Sequence, residues 1–108
     1  IWSLLDNGRF QHNSAKIATA DFHIFGQADS NLFFVDASTD SIGIGTATPD
    51  SSAKLDIDST TKGFLPPRMT TVERDAITTP AGGLMVFNTT TSKMNFYNGS
   101  AWEEITSA

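Results

Sequence analysis

An all-β chain of short strands, with a short helical connector and a C-terminal β-meander, is the architecture the sequence predicts. Three observations carry that expectation. Apolar bursts recur about every ten residues between Asp21 and Thr46, separated by polar turn formers. Eight glycines, four prolines and many Ser, Thr, Asn and Asp are spread evenly along the chain, a composition of strands and turns rather than long helices. Helix-start chemistry is found at Thr70 followed by Glu73, and the segment it opens has room for only a turn or two.

Taken in order, "IWSLL" and "RFQHN" flank Asp6-Asn7-Gly8, whose residues tolerate positive φ, and read as a hairpin. "SAKIATA" has neither a cap nor a second apolar turn and reads as extended or irregular. The repeat follows. Aligning Asp21, Asn31 and Ser41 brings Phe22, Leu32 and Ile42 into register, with Ile24, Phe34 and Ile44 two residues later. On period-two alternation these predict three strands sharing one apolar face, with Asp21 and His23 on the other. The links "GQADS" and "DASTD" are short and polar, as adjacent antiparallel strands require. Gly43 and Gly45 fall opposite Ile42 and Ile44, and a strand glycine marks a bulge or a backbone pressing close. "KLDID" continues with Leu55 and Ile57 inward and Lys54, Asp56 and Asp58 outward.

The grammar then changes, dividing the chain into a repetitive short-strand segment, 1–62, and a connector with terminal meander, 63–108. Pro66 and Pro67 bar a central strand and favour an extended passage. The capping box at Thr70 and Glu73 opens a short helix over "TVERDAI", leaving Val72 and Ile77 available for docking. Pro80, Gly82 and Gly83 end it. The remainder, "LMVFNTTTSKMNFYNGSAWEEI", reads as three strands joined by "NTTTSK" and by the Asn98-Gly99 hairpin signal.

Energetics point to an oligomer. Each strand of residues 21–58 offers about two large side chains to one face, and about 1.5–3 kcal/mol for each, fully buried, barely meets about 1–2 kcal/mol of backbone entropy per ordered residue. Either the terminal meander folds over that face, or identical sheets from other chains cover it. The first remedy needs the Pro- and Gly-rich connector to bend back, whereas a repeat favours an elongated stack. The expectation is therefore an intertwined homotrimer with Phe22, Ile24, Leu32, Phe34, Ile42, Ile44, Leu55 and Ile57 as its core.

Several chemistries find no support. The chain has no Cys, which excludes disulfides and thiolate metal sites. Twelve acidic against seven basic residues give a net charge of −5, which disfavours a nucleic-acid partner. No apolar run is long enough for membrane insertion, and no segment has the form of a secretion signal. The chain opens on Ile1 rather than Met, as a piece of a longer protein would. His12 and His23 stand eleven residues apart with no Ser or Cys in a nucleophile context, so no catalytic residue is assigned. Three copies of His23 around an axis would make a metal site, but paired His on one strand face are missing, and no metal ligand is assigned. Asp36, Asp50, Asp56 and Asp58 read as turn and strand-edge solubility residues rather than an acid–base pair. "GIGTATP" lacks the strand-to-helix transition and the Lys of a phosphate loop, so no cofactor is expected. Tyr97, Asn98 and Trp102 around the last hairpin suit either sugar stacking or the core of the meander, and the core reading weighs more. Arg68 and Arg74 read as ion-pair partners for Glu73 or Asp75.

The wording of the chain adds a resemblance. "NLFFVDASTDSIGIGTATP" followed by "AKLDID" resembles a phrase of tailed-bacteriophage fibre and spike proteins, in which a strand, a turn, Val-Gly-Ile-Gly-Thr, a Pro and Leu-Asp-Val follow in order. "KGFLPPRMTTVERDAI" and the continuation through Tyr97-Asn98-Gly99 to Trp102 are similar to the segment that often follows it. Together they span residues 31–108. Ile42 stands in place of the commoner Val, and Phe87 where such sequences often carry Tyr; residues 1–20 match nothing in the pattern. The resemblance implies a homotrimeric, β-rich segment of a virion tail fibre, extracellular, with other tail-fibre or virion proteins and a host cell-surface glycan or protein receptor as partners. It implies no reaction.

Overall fold

The computed structural model describes residues 2–4, 10–13 and 15–107. Among them are ten short strands and one helix: β1 Trp2–Leu4, β2 Phe10–His12, β3 Phe22–Ile24, β4 Phe33–Asp36, β5 Ser41–Ile44, β6 Leu55–Ile57, β7 Arg68–Met69, α1 Thr71–Asp75, β8 Met85–Asn88, β9 Lys93–Tyr97 and β10 Trp102–Glu104. The chain divides into two compact units, Ile1–Gly63 and Phe64–Ala108.

In the first unit, β1 and β2 pair antiparallel, Ser3 opposite Gln11; the Asp6-Asn7-Gly8 turn expected between them lies outside the described residues. Residues 15–20 are irregular. Asn13 caps this passage, its Oδ1 accepting from the Ile17 amide at 2.7 Å and its Nδ2 donating to the Ile17 carbonyl at 2.9 Å. A four-stranded sheet follows in the order β3-β4-β5-β6. Its first three strands are antiparallel, whereas β6 joins β5 in parallel after a crossover without helix.

The register corrects the expected stripe. Phe22 pairs with Val35 and Ile24 with Phe33, while Val35 also pairs with Ile42. Directly opposed residues share a face, so Phe33 and Val35 accompany Phe22, Ile24, Ile42 and Ile44. Phe34 lies on the other face, opposite His23 and Gly43, and Leu32 precedes the strand. The physical reason is that a ten-residue translation preserves odd and even positions, but this hairpin reversal matches each even residue to an odd one. With Phe33, Phe34 and Val35 all apolar, the sequence offered both faces, and the loop lengths chose. One residue of slip exchanges the faces entirely.

Gly43 behaves as a strand glycine should. The crossover loop folds over it, and a Cβ there would collide with the Thr46 carbonyl and stand 3.2 Å from Pro49, which is buried. Gly45, at φ +84°, turns the chain so that its amide donates to the Asn31 carbonyl at 2.8 Å.

The second unit holds a four-stranded sheet in the order β10-β9-β8-β7. Its three-strand meander was legible; β7 was not. Directly after Pro67, β7 pairs in parallel with β8, Arg68 opposite Phe87 and Met69 opposite Asn88, with the Phe87 amide donating to the Pro67 carbonyl at 2.8 Å. As an edge strand it tolerates the preceding prolines, whose missing N–H groups the ladder never needs. The parallel return from β7 to β8 runs through α1, which packs on the sheet. Helix α1 begins at the expected capping box: Thr70 Oγ1 accepts from the Glu73 amide at 3.2 Å, and Glu73 Oε1 accepts from the Thr70 amide at 2.9 Å. The last hairpin is wider than a two-residue turn. Tyr97 pairs with Trp102, and Asn98 Oδ1 accepts from the amides of Ser100 and Ala101, each at 2.8 Å.

Candidate functional site

Each four-stranded sheet packs one face by itself and leaves much of the other, apolar face exposed, although in the first unit His12 lies against Phe22, ring centroids 5.7 Å apart, and residues 12–20 border a cavity with Val35 and Ile42. In the first unit the closed face carries Phe34, 8% exposed, with the His23 ring edge-on at 4.8 Å and the crossover loop over Gly43. Around the open face lie Phe22, Phe33, Val35, Ile42 and Ile44, half-buried, and Ile24, Leu55 and Ile57, which are exposed. Of the eight residues expected to form a trimer core, six therefore share one face by register. Leu32, though exposed, stands outside the strand, and Phe34 is buried within its own unit.

In the second unit the closed face is the one under α1. Val86, Asn88, Asn95, Tyr97 and Trp102 alternate onto it by register, and Val86 is 2% exposed while Asn88 and Asn95 are fully buried. Two buried amides are tolerable because each is bonded. Asn88 Nδ2 donates to Asn95 Oδ1 at 3.0 Å and to Thr71 Oγ1 at 2.9 Å, and Asn88 Oδ1 accepts from the Thr90 amide at 2.9 Å. Arg74 Nη1 donates to Asn95 Oδ1 at 2.8 Å, Arg74 Nη2 pairs with Asp75 Oδ1 at 2.8 Å, and its guanidinium sits 5.4 Å above the Trp102 ring. Asn95 Nδ2 is left without a partner. This cluster ties α1, the 89–92 turn and three strands into one unit. The pairing of Arg74 with Asp75 was expected; the two asparagines were not, although the alternation in "MVFN" and "KMNFY" places both on the face of Val86.

Tyr97 and Trp102 are brought together, ring centroids 5.4 Å apart and edge-on, both half-buried. Trp102 also carries Arg74 over its ring, and Asn98 spends its carbonyl on the turn. These are the contacts of a packed meander. Val72 projects outward, 79% exposed.

The opposite face of the same sheet bears Met85, Phe87, Met94 and Phe96, with Met85 43% exposed and the other three half-buried. Among the described residues, no helix or strand of this unit packs on it in the way α1 packs on the other.

His23 Nε2 contacts Asn31 Oδ1 at 3.0 Å, and among the described residues no group of three or more His, Asp or Glu side chains could hold a metal ion. Asp36 is held below the usual carboxylate range first by the Ser38 hydroxyl, at 2.6 Å, and Asp50 likewise by the Ser52 hydroxyl, at 2.6 Å. Glu73 is held below its ordinary value first by the Thr70 amide. Each of these carboxylates serves a turn or cap. Among the described residues, no helix is long and apolar enough to cross a membrane.

Mostly β units, each with one packed face and a largely exposed apolar one, have the form of a structural module rather than of an active site. Comparison with known families names the kind. Residues 43–108 match the phage tail like trimerisation region, and the chain belongs to that family. Searches of curated proteins and of solved structures found no match. The family supports homotrimer formation and a structural role as a component of a phage tail.

Proposed function

We propose that this chain is a structural segment of a phage tail fibre or virion spike, in which three copies form a rod that supports recognition of a host receptor. The observation that carries the proposal is the coincidence of a trimerisation family over residues 43–108 with an open apolar face on each four-stranded sheet. In this reading Phe22, Ile24, Phe33, Val35, Ile42, Ile44, Leu55 and Ile57 of the first unit meet their symmetry mates in the rod. Residues 64–108 register the three chains, because their buried polar cluster admits one arrangement. The partners beyond the homotrimer are other tail-fibre or virion proteins and a glycan or protein on the host surface, and the location is the extracellular virion. Light scattering of the purified chain tests the assembly: a mass of three chains is expected, and a stable single chain overturns it. Pull-down on host cells and a glycan array then test the receptor role, which fails if the trimer binds neither.

A further inference from the structure

The open face of the β7–β10 sheet has a polarity along the sheet as well as an apolar centre. Arg68, on the β7 edge, pairs with Phe87 and so lies on the face of Phe87, while Glu103, on the β10 edge, pairs with Phe96 and lies on that same face. Met85, Phe87, Met94 and Phe96 fill the strands between them. Arg68 and Glu103 are both exposed, and among the described residues neither takes part in an ion pair; those found in this unit join Arg74 to Asp75 and Lys93 to Glu104, residues outside that face. A cation at one edge and an anion at the opposite edge cannot meet within a chain. They match when a second copy is placed edge to edge.

We infer that this face is the threefold interface, formed head to tail, with the β7 edge of each protomer against the β10 edge of the next. Met85, Phe87, Met94 and Phe96 then face the axis, and Arg68 of one copy pairs with Glu103 of its neighbour. Such a heterologous contact closes into a ring when its rotation is 120°, and the opposed charges fix both direction and register. A twofold contact of like edges, β7 on β7 or β10 on β10, would set Arg68 against Arg68 or Glu103 against Glu103, which like-charge repulsion disfavours. A twofold contact face to face would give covalent dimers rather than trimers in the cross-linking test below. The inference rests on the proposed trimer and specifies which surfaces make it.

Disulfide trapping tests it, because the chain contains no cysteine. The edges of a four-stranded sheet are about three strand spacings, roughly 14 Å, apart, beyond the ~7 Å limit for a Cα–Cα disulfide. The double variant Arg68→Cys/Glu103→Cys therefore cross-links only between chains. On oxidation it should yield covalently closed trimers on a non-reducing gel, while each single variant stays uncross-linked. A wild-type trimer by light scattering whose double variant gives no covalent trimer, or whose single variants give dimers, overturns the interface and leaves the trimer standing. A wild-type single chain overturns both. A charge exchange covers the case in which the cysteine variants fail to fold. Arg68→Glu or Glu103→Arg alone should weaken the trimer by about tenfold or more, and the two together should restore it; an unrestored pair contradicts the head-to-tail contact.

Discussion

In the sheet of residues 68–104 one face is shut by a helix, a capping box and two buried asparagines, whereas in the sheet of residues 22–57 the corresponding face is shut by a loop folded over Gly43 and by one phenylalanine. The difference separates two ways of fixing structure. A bonded polar cluster tolerates few alternatives, since a shifted strand would bury an unpaired amide. An apolar strand such as "LFFV" tolerates a slip by one residue, and only its loops forbid it. On the proposed function, the second unit sets the arrangement and the first follows it.

That contrast is broken or upheld most directly by truncation. A chain ending at Gly63 should lose the trimer altogether and fail to fold cooperatively, as seen by light scattering and circular dichroism. Recovery of a folded trimer from residues 1–63 would remove the registering role from 64–108.

Next in size is the core of the second unit. Val86→Asp places a charge on a side chain 2% exposed beneath α1, and burial of an unpaired charge should cost about 3 kcal/mol or more. Asn88→Ala removes the partner of Thr71, Asn95 and the Thr90 amide; leaving those groups unsatisfied should cost about 1–3 kcal/mol. Urea unfolding followed by Trp102 fluorescence in a Trp2→Phe background measures both. A change below about 0.5 kcal/mol for Asn88→Ala, the size of an ordinary surface substitution, would show that the cluster does not hold the unit together.

Gly43→Ala is the counterpart in the first unit. The added methyl meets the Thr46 carbonyl and Pro49, so the crossover loop must lift. Overpacking of this kind costs about 1–3 kcal/mol. Amide exchange should accelerate at Ile42 and Asp58, whose bonds hold β5 to β6, while the 85–97 hairpin keeps its protection. Faster exchange in the hairpin as well would mean that the two units do not respond separately.

How far these features were legible from sequence follows from the same contrast. Elements announced by local chemistry were readable: the Thr70–Glu73 capping box, the strand glycines and the Asn98-Gly99 turn each need particular residues at particular backbone positions. Pairing decided by chain reversal was not. Phe34 was expected beside Phe22 and Ile24, but the hairpin sends Phe33 and Val35 there, because the triplet is apolar throughout and leaves the choice to the loops. Edge strand β7 hid behind Pro66 and Pro67, whose local signal against a central strand says nothing against an edge. Asn88 and Asn95 were not singled out, since their burial depends on a helix contributed from elsewhere in the chain.

The smallest expected effect is electrostatic and again divides the units. Asp36 and Asp50, in the first, and Glu73, in the second, have folded pKa values below their ordinary ones, through Ser38, Ser52 and Thr70 respectively. A depressed carboxylate pKa contributes stability that is complete above the unfolded value, about 3.9 for Asp and 4.3 for Glu, and is lost as pH falls through the folded value. Stability should therefore be flat from pH 7 to about 5 on account of these groups and decline below about 4, with two such carboxylates in the first unit against one in the second. Because Asp50 and Glu73 are solvent-exposed and Asp36 is only half-buried, added salt and local fraying limit the change, so a site-specific readout is needed. Amide shifts of Ser38, Ser52 and Thr70 should titrate with midpoints below the ordinary carboxylate values, and Asp36→Asn should erase the Ser38 titration alone. Midpoints at or above the ordinary values would mean that the turns are not held by their carboxylates, and the first unit's loops would then rest on the packing around Gly43 and Phe34 and on bonds such as those from the Ala37 amide to Asp21 and the Asn31 amide to Asp29.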